Sequence, residues 1–138
     1  NIDGLHTQAG SSRVIEIHGN QAVRYCMRCH APADADDRTL PPRCAHCGGV
    51  VRPGVVLFGE SLPEAALIAL QEELDQGFDL IFVIGTTAVF PYIAAPVMQA
   101  VRQGIPTVEI NPARTRLSSQ VRYYLPLGAV EAFAAIRV

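Results

Sequence analysis

The fold of this chain is decided by Asp79-Leu80-Ile81-Phe82-Val83-Ile84-Gly85-Thr86-Thr87. Its almost continuous apolar run has the length of a strand and is typical of a strand that is covered on both faces. Gly85 then predicts a tight turn where the strand ends. Strands of this kind occur mainly in parallel sheets that carry helices on both faces, so the stretch predicts such a sheet.

The residues around this strand alternate between strand-like and helix-like patterns. The further predicted strands are 55–58, 107–110 and 121–125, and an alternating apolar run covers 14–17. Predicted helices run from the Ser61-x-x-Glu64 pattern to Gly77, over 93–103 and over 128–136. This order predicts an α/β fold with a parallel, doubly wound, Rossmann-like sheet. Ligands of such sheets bind beyond the carboxyl ends of the strands, here residues 58–60, 85–87 and 111–112.

The composition excludes several classes of protein. The chain has 138 residues, of which 49% are hydrophobic and 17% charged, which excludes a disordered tail and a coiled coil. All eleven basic residues are Arg, so a Schiff-base lysine and a P-loop are excluded. With a net charge of −2, electrostatics alone would recruit neither nucleic acid nor an anionic membrane. The sequence has no apolar run long enough to span a bilayer.

Two Cys-x-x-Cys pairs predict a structural zinc site. Their spacing, Cys26-x2-Cys29-x14-Cys44-x2-Cys47, is that of a zinc ribbon, in which four thiolates close a tetrahedron around one Zn²⁺ ion. Such a site leaves no position for water, so we expect a structural role. Paired cysteines without an export signal also favour a reduced, cytoplasmic setting.

Other interpretations of the cysteine segment are weaker. Cys26-Met27-Arg28-Cys29-His30 matches a c-type haem attachment string, but that interpretation leaves the second pair unexplained. A thioredoxin-like redox pair does not have ribbon spacing. His46 could replace one cysteine as a ligand, although four softer thiols are available. Residues 24–52 contain five Arg and three Asp, which gives them a net charge of +2. A zinc ion with four thiolates adds a charge of −2, so the module is close to neutral. We therefore do not expect it to bind nucleic acid, which needs a surplus of basic residues.

His18 is the candidate general base. It follows the apolar run 14–17, at the predicted end of a strand, and precedes Gly19, where a base can be both held and exposed. On position alone, the favoured interpretation is a core histidine that is satisfied by a backbone carbonyl.

The sequence resembles the sirtuin family of NAD-dependent protein deacylases over nearly its whole length. The motifs that carry the resemblance are Asn1-Ile2-Asp3-x-Leu5-His6, His18-Gly19, the two cysteine pairs, Arg52-Pro53-x-Val55-Val56-x-Phe58-Gly59-Glu60, Gly85-Thr86-Thr87 and Asn111. The resemblance implies a Rossmann-like NAD-binding domain formed by 1–23 and 53–138, with a zinc module inserted at 24–52. It also implies that this is the C-terminal part of a sirtuin, whose sheet lacks its N-terminal half, and that these 138 residues alone lack substantial catalysis.

The resemblance implies a role for each matching residue. His18 would act as general base on a ribose hydroxyl of NAD. The residues implied to bind NAD are Asn1, Ile2, Asp3, Gly85, Thr86, Thr87 and Asn111, with Asp3 accepting from the nicotinamide amide. An acyl-lysine peptide would bind Val56, Phe58, Gly59 and Glu60 as an added strand. Two departures from the family are Phe90, where a β-branched aliphatic residue is common, and Pro112-Ala113, where an acidic sequence is usual.

The resemblance implies removal of acyl groups from protein lysines, with nicotinamide and O-acyl-ADP-ribose as products. Two alternatives stay open: a mono-ADP-ribosyltransferase on the same fold, and a non-catalytic module that binds NAD or zinc. An exposed sheet edge would also favour association of the 138 residues into an oligomer.

Overall fold

The computed structural model describes residues 1–33 and 40–136, which fall into two compact units, Asn1–Glu73 and Leu74–Val138. The elements are α1 (Leu5–Gln8), β1 (Gly19–Cys26), β2 (Val51–Val55), α2 (Glu64–Gln76), β3 (Ile81–Ile84), α3 (Pro91–Arg102), β4 (Thr107–Ile110), β5 (Tyr123–Leu125) and α4 (Ala129–Ala135). The predicted limits of the zinc module, 24–52, stay a prediction, and residues 34–39 within it lie outside the described residues.

A parallel sheet organises the second unit. Its strands lie in the order β3-β4-β5, and both neighbouring pairs are parallel. The prediction of a parallel α/β sheet is therefore confirmed. The helix between the first two strands ends before Gly104, which has a φ of +74° that L residues rarely adopt.

The two faces of β3 are covered to different degrees. Val83 is buried with Val97 of α3 in the core of this unit. On the opposite face the ring of Phe82 lies 6.4 Å from that of Phe133 of α4, yet Phe82 stays 42% exposed. Helices thus reach both faces, as in a doubly wound sheet. The prediction of a strand with helices on both faces is confirmed, although α4 covers the face of Phe82 only in part.

A buried carboxylate fixes the chain after β4. Glu109 is completely buried and accepts a hydrogen bond from the hydroxyl of Thr115 and another, at 2.5 Å, from that of Ser118. Both hydroxyls in turn accept backbone N–H groups of the same segment. Because a buried carboxylate needs such donors, this network ties segment 111–120 to the sheet.

The first unit is built on an antiparallel pair, β1 and β2. Two predicted strands are wrong here. Residues 14–17 form no strand, and His18 precedes β1 instead of ending a strand. The strand predicted at 55–58 is shifted: β2 covers Val51–Val55, and the N–H of Val56 makes the last bond of its pairing with β1, to the carbonyl of His18 at 2.9 Å. The chain then turns, because the next N–H, of Leu57, donates to the side chain of Glu60.

Within the part of the chain that the structure describes, none of the helices combines the length and the apolar character needed to cross a bilayer.

Candidate functional site

The four cysteines of the two pairs converge on one point. The ligand sulfurs of Cys26, Cys29, Cys44 and Cys47 all lie within 4.8 Å of one another. The Sγ atoms of Cys26 and Cys47 are 3.4 Å apart, and those of Cys29 and Cys44 are 3.9 Å apart. Tetrahedral Zn–S bonds of about 2.3 Å place neighbouring sulfurs about 3.8 Å apart, so the cluster fits a zinc ion closely.

The protonation of the thiols suits a metal site. Backbone N–H groups of Cys29 and Arg28 donate to the sulfur of Cys26 and lower the pKa of this thiol to about 6. Although the N–H of Gly49 lowers it, the pKa of Cys47 rises to about 11, because its sulfur shares a proton with that of Cys26. Zinc would replace that shared proton, since only thiolates bind the metal.

Gly49 allows the two cysteine pairs to approach each other. A Cβ atom on Gly49 would lie 2.8 Å from the sulfur of Cys26, so a glycine is required for the second knuckle to close. His46, the alternative ligand considered from the sequence, is exposed and is not part of the cluster. Two pairs joined in one four-sulfur site also fit neither a c-type haem attachment nor a separate redox pair.

His18 lies beside a cavity of about 350 Å³ in the first unit. This volume falls near the lower end of the range, about 300–1,000 Å³, that is typical of small-molecule sites. Asn1 lines the same cavity, so two predicted site residues that are 17 positions apart are brought together. The remaining lining residues are His6, Ser11, Arg13, Val14, Ile15, Glu16 and Ile17.

Ile2 and Asp3 do not line this cavity, although they adjoin Asn1. The carboxylate of Asp3 accepts the backbone N–H of Leu5 at 3.0 Å and the side-chain amide of Asn1 at 3.3 Å. The first of these bonds lowers the pKa of Asp3, so the group is ionised near neutral pH. Each carboxylate oxygen keeps a second lone pair, so Asp3 can still accept a ligand amide.

Gly19 sets the position of His18. Its φ is +77°, and a Cβ atom there would lie 2.0 Å from the carbonyl oxygen of Gly54 in β2. No rotation of a side chain can relieve an overlap with backbone. The pairing of β1 with β2 therefore requires glycine directly after the candidate base.

Replacing Gly19 by alanine should destabilise the first unit strongly. Positive φ costs an L residue about 1–2 kcal/mol and the overlap about 1–3 kcal/mol more, so we expect a loss of about 2–5 kcal/mol in urea denaturation. Gly10→Ala is the matched control, because Gly10 has a φ of +94° but nothing lies within 4 Å of the position that its new methyl group would take. Equal losses in the two variants would contradict a steric role for Gly19.

At the carboxyl ends of β3 and β4, three predicted cofactor residues meet. The side-chain amide of Asn111 donates to the carbonyl of Thr86 at 2.9 Å, and the N–H of Gly85 donates to the carbonyl of Ile110 at 3.0 Å. Gly85 has a φ of +62°, which turns the chain sharply after β3. Thr87 is exposed beside them. Asn111 also accepts the N–H of Ala113, so it shapes this turn as well as lining it.

The predicted substrate segment is a turn that follows β2. Val56 is partly buried, whereas Phe58 is 96% exposed at the tip, next to Gly59 with a φ of +87°. Glu60 closes the turn through hydrogen bonds to Arg52 and to the N–H of Leu57. These residues are thus brought together, although not on the buried strand that the sequence predicted.

Sequence reasoning missed three contributors to these sites. Arg13 lines the cavity and forms an ion pair with Glu73 of α2, and nothing in its local sequence indicated this. Arg52 belongs to one of the family's motifs, but the resemblance implied no role for it. Glu109 lies in a predicted strand, and a charged residue inside an apolar strand is itself a signal of a buried network.

Comparison with known proteins identifies the family. The model of the Sir2 family matches residues 1–91. An NAD-dependent protein deacylase 2 of Pseudomonas aeruginosa is 53% identical over 127 residues, which cover 88% of this chain and 50% of that protein. An NAD-dependent protein deacylase 1 of Caldanaerobacter subterraneus is 40% identical over 134 residues, which cover 95% of this chain and 55% of that protein. The chain thus spans about half the length of these curated relatives.

Solved structures agree with this assignment. A Sir2–p53 peptide–NAD⁺ complex superposes with a TM-score of 0.85 at 33% identity, over 96% of this chain and 57% of that one. A Sir2 homologue in complex with NAD superposes with a TM-score of 0.84 at 37% identity. The match covers 96% of this chain and 52% of that one. The match of the family model over most of the sequence, together with the shared fold, shows that the chain belongs to the Sir2 family.

Proposed function

We propose that this chain is the part of an NAD-dependent protein-lysine deacylase that carries the general base, the structural zinc site and the substrate turn. The observation that carries the proposal is the cavity that brings together His18 and Asn1, two residues at the positions of the family's catalytic and nicotinamide-ribose motifs. The names of the relatives, which are deacylases, support the same activity.

His18 is proposed to take a proton from a ribose hydroxyl. Its backbone carbonyl is anchored by the N–H of Val56 at 2.9 Å, and Gly19 fixes the turn behind it. An imidazole held in this way at a cavity wall can accept a proton without moving its backbone. His18 is only partly buried, so a bound hydroxyl can reach the cavity that the residue lines.

The residues fit the proposed cofactor. NAD supplies the ribose carbon to which the acyl oxygen adds as nicotinamide leaves. Asn1, Ile2 and Asp3 are proposed to hold the nicotinamide end, and the ionised carboxylate of Asp3 suits an amide donor. Gly85, Thr86, Thr87 and Asn111 are proposed to contact the rest of the cofactor, because the ends of parallel strands are where nucleotides bind.

The proposed substrate is an acyl-lysine side chain of a protein. Val56 and Phe58 would contact its alkyl stem, and the backbone of the turn would pair with the extended peptide. The exposed ring of Phe58 supports this role, because a large apolar side chain held in solvent is typical of a contact surface. We keep the prediction that the chain does not bind nucleic acid directly.

Two further properties belong to the proposal. The four cysteines converge as ligands of one zinc ion, and paired cysteines used in this way support a reducing compartment such as the cytoplasm. In the sheet of the described residues, β3 is an outer strand whose Phe82 and Ile84 are partly exposed. This edge supports association of the 138 residues with one another, which sedimentation at two concentrations would reveal.

The test measures products by mass spectrometry. It uses the natural protein, meaning the chain with whatever residues accompany it in its host, together with NAD and an acetyl-lysine peptide. We expect free nicotinamide, deacetylated peptide and O-acetyl-ADP-ribose in equal amounts. ADP-ribose attached to an acceptor protein would favour the transferase alternative instead. NAD binding without turnover of any acyl peptide would contradict catalysis.

A further inference from the structure

Arg52 holds a fixed position at the end of the antiparallel pair. Its side chain is only 15% exposed, and its guanidinium carbon lies 5.9 Å from the ring centre of Tyr25, its partner residue in β1. Its Nη2 donates to the carbonyl of Val55, the last residue of β2, at 2.8 Å. These contacts fix the direction in which the planar fork of the guanidinium points.

Glu60 receives this fork with both of its oxygens. Its Oε1 accepts from Nη1 of Arg52 at 2.5 Å, and its Oε2 accepts from Nη2 at 3.1 Å and from the N–H of Leu57 at 2.9 Å. The Arg52 contact first, and the Leu57 contact second, hold the pKa of Glu60 below its usual value. Three of about four acceptor positions of the carboxylate are thus used within the chain.

The pair closes the turn around Phe58. Leu57 is bound to Glu60 twice, because its carbonyl also accepts the N–H of Glu60 at 3.0 Å. Gly59, with a φ of +87°, allows the chain to reverse at this point. Burial contributes almost nothing to the position of Phe58, which is 96% exposed, so the bonds between Leu57 and Glu60 set the path of its backbone.

We propose that the Arg52–Glu60 pair positions the turn 56–60 for the acyl-lysine peptide, and that Glu60 is a positioning residue that does not itself contact the substrate. The inference rests on the proposed function, and it replaces the substrate contact that the sequence assigned to Glu60. The peptide would meet the ring of Phe58 and the backbone of the turn, while the carboxylate stays directed at Arg52.

The kinetic test uses the natural protein and the variants Arg52→Gln, Glu60→Gln and the double variant. We expect each single variant to raise the KM for an acetyl-lysine peptide by about fivefold or more, while kcat and the KM for NAD stay within about twofold. The double variant should be no worse than the more damaged single one, because the two side chains act as one unit. Glu64→Gln and Arg102→Gln, at exposed positions elsewhere, are the matched controls.

An additive loss in the double variant would overturn the inference, since Glu60 would then act independently of Arg52. Unchanged KM values for the peptide would overturn it as well.

Hydrogen exchange at the amide of Leu57 provides a readout that needs no activity. We expect Arg52→Gln and Glu60→Gln to accelerate this exchange equally, and no acceleration would contradict the positioning role. An inactive parent protein would refute the proposed function, and the exchange result would then still decide whether the pair orders the turn.

Discussion

Removing zinc by chelation will unfold the segment around the four cysteines and leave the parallel sheet of the second unit folded. Among the residues of this segment that the structure describes, Cys26, Cys44 and Val51 form the buried cluster, so two of its three members are cysteines. A structural zinc ion contributes about 10–16 kcal/mol of apparent binding free energy near pH 7 in comparable small modules. That is as large as the whole folding free energy of a typical small domain, about 5–15 kcal/mol.

Hydrogen exchange followed by mass spectrometry checks this expectation region by region. After chelation, amides near the cysteines should exchange as in an unfolded chain, whereas those of β3 and β4 should stay protected, because the core of Val83, Val97 and Leu117 contains no metal ligand. Simultaneous loss of protection in both units would contradict this account.

A pair of variants distinguishes the loss of a zinc ligand from the effect of a new serine in the same segment. Cys44→Ser removes one sulfur of the cluster and should lower zinc affinity severely, because a serine hydroxyl is a poor ligand for this ion. Ala45→Ser places the same side chain on the next, exposed residue and should leave the zinc content at one ion per chain. Equal zinc content in the two variants would mean that Cys44 is not a ligand.

The second unit could be predicted well from the sequence because its signals are local. The apolar run up to Ile84 and the glycines at 77 and 104 define strand and helix ends without any knowledge of distant contacts. The helix expected over 93–103 begins slightly earlier, at Pro91, and the helix expected over 128–136 is Ala129–Ala135. Parallel pairing then follows from the order of the elements.

The first unit was harder because its pairing is remote. β1 and β2 are separated by the whole cysteine segment, so the partner of each strand could not be recognised from its neighbours in sequence. Val56 and Phe58 are as apolar as a buried strand, but the chain is held there in a turn. The side chain of Arg52 donates to the carbonyl of Val55, and the carboxylate of Glu60 accepts the N–H of Leu57. Such side-chain control of the backbone leaves no periodic signal.

The candidate site shows the same contrast. The cysteine cluster follows from spacing alone, because metal geometry restricts where the ligands can stand in the sequence. The cavity at His18 could not be predicted from spacing, because its walls come mainly from residues 11–17, which form neither helix nor strand. The role of Asn1 was implied only by the resemblance to a family, whereas that of His18 was one of two interpretations of its position before the resemblance favoured it. Both roles stay proposals.

His18→Ala is expected to abolish deacylation without unfolding the protein. Loss of a general base typically lowers kcat by about 10²- to 10⁴-fold. The bond between His18 and Val56 uses the backbone carbonyl, so alanine keeps it, and urea denaturation should still show one cooperative unfolding transition. His6→Ala is the matched control, because His6 lines the same cavity on α1 but is not proposed to accept the proton.

The measurement that decides the proposed function is the rate of acetyl-peptide deacylation, with NAD, by the natural protein and by its His18→Ala and His6→Ala variants. We predict turnover by the parent and by His6→Ala, and a rate at least about 100-fold lower in His18→Ala. Full activity of His18→Ala, or no turnover by the parent protein, would contradict the proposed function.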